Sequence, residues 1–312
     1  MDFLNMGFIQ ELFVSTIRMA TPLLLVALGE LFSEKAGMVN IGLDGIMTFG
    51  ALSGFLVSYI TGSPYLGILA GALGGLIINL IYAFCTVTLC AEQIVYGMAL
   101  NIFAPAVATF IYRMYFGITP TLATASLMKA VPIPLLSEIP IIGKAFFNHT
   151  PIVYMAYILV PLIAFFFNKT KPGLNFKAVG EFPKAAETLG INVTGKKYLA
   201  CILCGILAGM GGAYLTTCYI SSFSEGIVAG RGFIALAAVI FGRWMPGGVV
   251  LAALLFSFSD ALQLRFQVLS PNTPYQLLAM LPYVFTLAAL AILGIKKGGP
   301  KANGKPYFRE DR

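Results

Sequence analysis

Residues 177–198 read KAVGEFPKAAETLGINVTGKKY, the only long polar island in a chain of 312 residues of which 58% are hydrophobic and 11% charged. On either side of it lie blocks of membrane-length apolar segments. Within the island, Pro183 suits a first helical position, where its missing N–H has no partner to lose; Ala185 and Ala186 propagate a helix, and Gly190 supplies a left-handed stop. A helix of about two turns is marginal alone in water, because nucleation is costly and so few turns return few hydrogen bonds. The island is therefore expected to dock against a partner.

Working outward, nine apolar segments can be read, at 8–32, 39–60, 65–89, 94–115, 151–168, 197–218, 230–241, 247–264 and 275–295. Mean hydropathy is +0.87, and several runs reach the roughly 20 residues that carry a helix across a bilayer. The seventh is too short to span and reads as a half-helix, so eight to ten crossings are expected. The fold class is all-α: a polytopic transmembrane helical bundle over residues 1–295, followed by a Gly-, Pro- and charge-rich tail, 296–312, expected to be flexible. A soluble helix normally keeps a polar face, and a transmembrane β-barrel would alternate over about ten residues; these runs do neither. The first apolar stretch follows Asp2 and no basic leader, so it reads as a retained span.

With the island on the cytoplasmic side, the segment count puts the N-terminus outside and the C-terminus in the cytoplasm. Fourteen of the twenty lysines and arginines then fall inside, as the positive-inside rule requires. Topology thus accounts for the net charge of +7, and no nucleic-acid partner is expected because the basic residues flank apolar segments and do not line one face with aromatics. The loop 116–150, with Pro120, Pro132, Pro134 and Pro140, should cap the bundle as irregular or short interfacial pieces. Small residues recur at helical spacing at Gly67, Gly71 and Gly75 and at Gly205, Gly209 and Ala213. Such stripes let helices approach closely in lipid, here more simply within one subunit than between subunits.

Two further stretches mix glycine and polar residues into apolar helices: SEKAGMVNIGLDGIMTFG at 33–50 and GRGFIALAAVIFGRWMPGG at 230–248. Interrupted helices at membrane depth are tolerated where they line a cavity or are buried in protein. Asn40 and Asp44 are therefore candidate pathway residues. Tyr96, Asn101 and Phe103 in the fourth segment join them, as does Phe223 in the hinge YISSFSE at the outer mouth. For Asp44, stabilising the start of the second helix is the simpler role and gating the alternative. The chain has no G-x-x-x-x-G-K-[ST] phosphate loop, no H-E-x-x-H and a single histidine, His149. It is not expected to be an enzyme, to carry catalytic or metal-ligating residues, or to bind a cofactor itself. The five cysteines lie in or beside apolar segments and suggest no disulfide framework.

The pattern G-E-x-P-x-A-A followed by G-I-N resembles the coupling helix of bacterial ABC importer permeases, in the nucleoside and simple-sugar branch of the branched-chain amino acid and ribose permease superfamily. The stretches at 33–50 and 230–248 are similar to that family's other signatures, in the same order, so the resemblance covers most of residues 10–295. It implies that Gly180, Glu181, Pro183, Lys184, Ala185, Ala186 and Gly190, within a coupling region at 177–198, contact the ATPase. It also implies a multi-pass protein of the bacterial plasma membrane, surrounded by lipid. The implied partners are a second permease subunit, two ABC ATPase domains carrying ATP and Mg, and an extracytoplasmic substrate-binding lipoprotein. A short chain for the family resembles the smaller member of a heterodimeric pair. Aromatics and amides without many ionised groups suit a neutral solute with hydroxyls and a stackable ring, so a nucleoside is expected ahead of ribose or a galactose-like sugar. The rival reading is an ion-coupled secondary transporter, for which Glu30, Asp44 and Asp260 are the available intramembrane acids.

Overall fold

The computed structural model describes residues 6–117, 123–137, 139, 142–269, 276, 280, 284 and 298–308. Its helices are α1 (Met6–Lys35), α2 (Leu43–Thr61), α3 (Pro64–Ala83), α4 (Gln93–Phe116), α5 (Ile142–Phe147), α6 (Pro151–Lys169), α7 (Lys171–Glu181), α8 (Pro183–Thr188), α9 (Val193–Tyr214), α10 (Arg231–Phe241) and α11 (Pro246–Leu269). Prolines at the first turns of α3, α6, α7 and α8 begin helices where no N–H partner is available. α3 and α9 each run on into a π-helical turn, Phe84–Thr88 and Leu215–Tyr219.

Among the described residues, seven helices are long and apolar enough to cross a membrane. They match the first six expected segments and the eighth. The seventh is α10, whose 11 residues rise roughly 16 Å, about half a bilayer. The ninth, 275–295, lies outside the described residues except at 276, 280 and 284.

α1, α2, α3 and α9 form the centre, α4 leans on α2, α6 on α1, and α10 and α11 on α1. Between lipid-embedded helices there is little hydrophobic drive, so close van der Waals approach must hold them together. The two small-residue stripes supply it by meeting each other: a Cβ on Gly209 would overlap the Gly71 carbonyl oxygen and lie 2.9 Å from the Gly75 Cα. On the other side of α9, a Cβ on Gly212 would lie 2.9 Å from the Met47 Cα of α2. The stripes therefore serve packing within the chain. α4 and α6 are the most open of these helices, buried over 22% and 28% of their apolar stretch against 78% for α1, and α4 keeps one whole side open.

The described part of the loop after α4 lies across one end of the bundle. The Ala125 N–H donates to the Ser221 carbonyl at 2.7 Å and the Met128 N–H to the Thr217 carbonyl at 2.8 Å. β1 (Val131–Pro132) pairs antiparallel with β2 (Asn148–His149) around α5. At the opposite end, residues 298–308, within the stretch expected to be flexible, lie packed between α1 and α7: Ala302 is buried and its N–H donates to the Gly180 carbonyl at 2.9 Å.

Candidate functional site

The link between α1 and α2, residues 36–42, leaves helical geometry, so its backbone polar groups need partners from elsewhere. Side chains from three helices provide them. The Val39 N–H donates to Gln93 Oε1 at 2.7 Å and the Asn40 N–H to Glu30 Oε1 at 2.9 Å, while the Tyr82 hydroxyl donates to the Val39 carbonyl at 2.6 Å. Asn101 Oδ1 accepts from the Gly45 N–H at 2.9 Å and its Nδ2 donates to the Ile41 carbonyl at 2.7 Å. Asn40 is fully buried; its Oδ1 accepts from the Gly42 N–H and its Nδ2 donates to Asn79 Oδ1 at 2.7 Å. Asn79 Nδ2 in turn donates to the Cys201 carbonyl at 2.6 Å. Both amides expected in the pathway are thus engaged in holding this link. The sequence reading missed Asn79 and Tyr82, whose signal was a polar group punctuating an otherwise apolar segment.

Asp44 stands where two helices begin. It lies in the first turn of α2, and its Oδ1 accepts from the Gly232 N–H of α10 at 3.1 Å. Gly230, at φ +77°, turns the chain into α10, and at Gly232 a Cβ would lie 2.6 Å from the Asp44 Cα, so the two helix starts touch. Both ends present unpaired N–H groups and the positive pole of a helix dipole. The Asp44 carboxylate thus stands in the first turn of its own helix and bonds the start of a second, which sequence spacing did not reveal. Asp44→Asn keeps an acceptor but removes the charge, at a cost of about 1–2 kcal/mol if each dipole contributes its usual share. The expected result is a purified complex that unfolds a few degrees lower, while transport per folded complex stays near wild type. Lost transport with unchanged melting would assign Asp44 to gating instead.

Tyr96 and Phe103, seven residues apart on α4, are 38% and 52% exposed on its open side. Phe223 differs from expectation. It is fully buried, with its ring 5.2 Å from Tyr112 and 6.4 Å from Phe55, so it packs the core and presents no face at the outer mouth. Further along α4, an open groove of about 810 Å³ is lined by Pro105, Thr109, Phe110 and the exposed ion pair Arg113–Glu225, at 2.5 Å. Charged groups are costly against hydrocarbon, which makes water or protein the better neighbour for this side.

The polar island folds as its sequence suggests. Thr170 caps α7, accepting from the Gly173 N–H at 3.2 Å; the chain breaks at Phe182, restarts at Pro183 and turns at Gly190 with φ +80°. Asn192 then caps α9, accepting from the Gly195 N–H at 2.8 Å. The seven expected coupling residues divide by role. Gly180 abuts α1, where a Cβ would lie 3.0 Å from the Lys35 carbonyl carbon, and Ala186 is buried with Val179 and Val193. Pro183 and Gly190 set the shape, Glu181 is half-buried, and Lys184 and Ala185 face outward. Beside them Phe182 and Leu189 are 56% and 81% exposed. Large apolar side chains left open beside a polar run mark a docking surface. The sequence reading passed over both, although apolar residues in a polar run were the available signal.

The family described as "Branched-chain amino acid transport system / permease component" matches residues 12–290. The chain is 40% identical to the nucleoside ABC transporter permease NupC of Lactococcus lactis, covering 93% of this chain and 94% of the relative. It is 36% identical to the guanosine ABC transporter permease NupQ of Bacillus subtilis, over 96% of each. It is also 36% identical to a putative glucose ABC transporter permease, TsgC13, of Haloferax volcanii, over 98% of this chain and 99% of the relative. A second L. lactis nucleoside permease, NupB, matches at 28% over 78% of this chain and 69% of its own length. No solved structure gives a significant match.

Proposed function

The chain belongs to the branched-chain amino acid transport system permease family, and from that premise we propose that it is a transmembrane subunit of an ATP-driven importer that translocates nucleosides. It is a multi-pass protein of the cell membrane. The observation that carries the nucleoside reading is its near full-length similarity to two permeases named for nucleoside and guanosine transport.

In this reading a second permease subunit, of the kind NupB represents beside NupC, covers the open side of α4, and the pathway runs between the two. ATPase subunits, which bind the ATP and magnesium, dock on Phe182, Lys184, Ala185 and Leu189; an extracytoplasmic binding protein delivers the solute. ATP binding favours one of two arrangements of the permeases, and hydrolysis releases it. Tyr96 and Phe103 offer rings to a base, since the amides of Asn40 and Asn101 are engaged with backbone. Of the three acids named for an ion-coupled transporter, Glu30 and Asp44 each accept from a backbone N–H, a structural use of their carboxylates.

A second reading, a simple-sugar importer, is favoured by the similarity to TsgC13. Competition separates the two. The reconstituted complex with its binding protein is expected to import labelled guanosine or uridine with ATP, with excess unlabelled nucleoside abolishing the signal and ribose, glucose and leucine leaving it intact. Competition by either sugar at a similar concentration moves the assignment to sugars, and competition by leucine to amino acids.

A further inference from the structure

We propose that residues 298–308 form a strap that passes the movement of the α7–α8 island to α1 and to the start of α4, with Asn303 and Tyr307 as its positioning residues. The inference rests on the importer reading above.

The strap is bonded on two sides. Toward the island, the Ala302 N–H donates to the Gly180 carbonyl at 2.9 Å, Lys301 Nζ stands 4.7 Å from the centre of the Phe182 ring, and the Tyr307 hydroxyl bonds a carboxylate oxygen of Glu187. Toward the bundle, Asn303 Nδ2 donates to Glu34 Oε2 at 3.0 Å, the Lys305 carbonyl accepts from Gln93 Nε2 at 3.4 Å, and the Tyr307 carbonyl accepts from Cys90 Sγ at 3.2 Å. The Tyr307 ring also lies 5.5 Å from Lys197 Nζ at the foot of α9.

Two of these partners lead inward. Glu34 is 1% exposed, and the same Oε2 accepts from the Trp244 indole N–H in the turn between α10 and α11, against whose ring Gly299 packs. Gln93 holds the Val39 N–H, and so the link that ends at Asp44 and the start of α10. Hydrogen bonds and the backbone between them thus join the island to the paired helix starts. Without the strap, the island would reach α1 through the contact of Gly180 with the end of that helix and through the Phe176 ring, whose centre lies 6.0 Å from that of Phe32. Two short helices alone are a poor lever, and bonds on both sides make the strap a stiffer one.

Spatial continuity alone does not establish coupling; a change in one site's response to the other does. The test is the double variant Asn303→Leu/Tyr307→Phe in the assembled complex, compared with wild type for labelled guanosine imported per ATP hydrolysed. ATPase activity is expected to stay within about twofold. Import per ATP should fall by about fivefold or more, the lower end of ordinary coupling between sites. An unchanged ratio overturns the strap. So does failure of the variant to retain its ATPase, because the segment would then build the docking surface and transmit nothing. As a second measurement, ATP-dependent change in hydrogen exchange at residues 37–45 should be present in wild type and absent in the variant. A wild-type complex that hydrolyses ATP yet imports no guanosine would count against the substrate reading only, and exchange would still read the strap.

Discussion

Gly209→Leu is expected to lower the folding equilibrium constant about tenfold or more, the factor that accompanies about 1.4 kcal/mol, and with it the yield of folded, monodisperse protein. A Cβ at this position meets α3 backbone, the Gly71 carbonyl and the Gly75 N and Cα, so nothing flexible can move aside. The remaining leucine atoms would drive α3 from α9, and the separated helices would lose the close contacts that bind them in lipid. Overpacking usually costs about 1–3 kcal/mol, and rigid backbone on both sides puts this case at the upper end, against a total stability of about 5–15 kcal/mol. Gly247→Ala is the control, since its methyl would meet nothing within 4 Å. Size-exclusion yield after detergent extraction compares the two directly; equal yields would mean that the glycine seam does not hold the bundle.

Ala185→Glu acts on the other face of the molecule. The side chain points outward between Phe182 and Leu189, so the variant should insert and accumulate normally. Once an ATPase covers the surface, the new carboxylate is buried without a partner, at a cost of several kcal/mol. Transport should fall by about tenfold or more, and the ATPase should be lost on copurification. The neighbouring Ala186→Glu should fail differently, by loss of the folded protein, because Ala186 is 2% exposed between Val179 and Val193. Normal copurification and transport by Ala185→Glu would remove the island as the ATPase contact.

What the sequence made legible follows from where each signal resides. Helix lengths, Pro183 as a start and Gly190 as a stop are local, and the structure has them where the residues indicate. The glycine stripes were visible as two sets with one spacing, and their meeting required only that α3 and α9 be neighbours. The link after α1 was legible as an interruption but not in its solution, because its partners Glu30, Asn79, Gln93 and Asn101 are spread over three helices. Spacing within a segment cannot say which amide meets which carbonyl across the bundle. Phe223 shows the same limit for burial: an aromatic in a polar hinge reads as exposed, and only the positions of Phe55 and Tyr112 bury it. Residues 298–308 were judged by composition, which measures apolar burial. Their anchors are instead single bonds through Ala302, Asn303 and Lys305, and composition is blind to these.

Those anchors also fix an order of events during biogenesis. Residues 298–308 follow every described helix in the chain, and the bond from Asn303 reaches back 269 residues to Glu34. Loop closure over so long a span costs little more than over a short one, since the entropy rises only with the logarithm of length. Its timing is what differs. The described helices can already be inserted and packed while translation continues, but the underside of the island stays open until residues 298–308 emerge and fold back across it. That side of the island is therefore completed only after the described helices have been made, and a chain terminated before residue 298 would leave it unsecured.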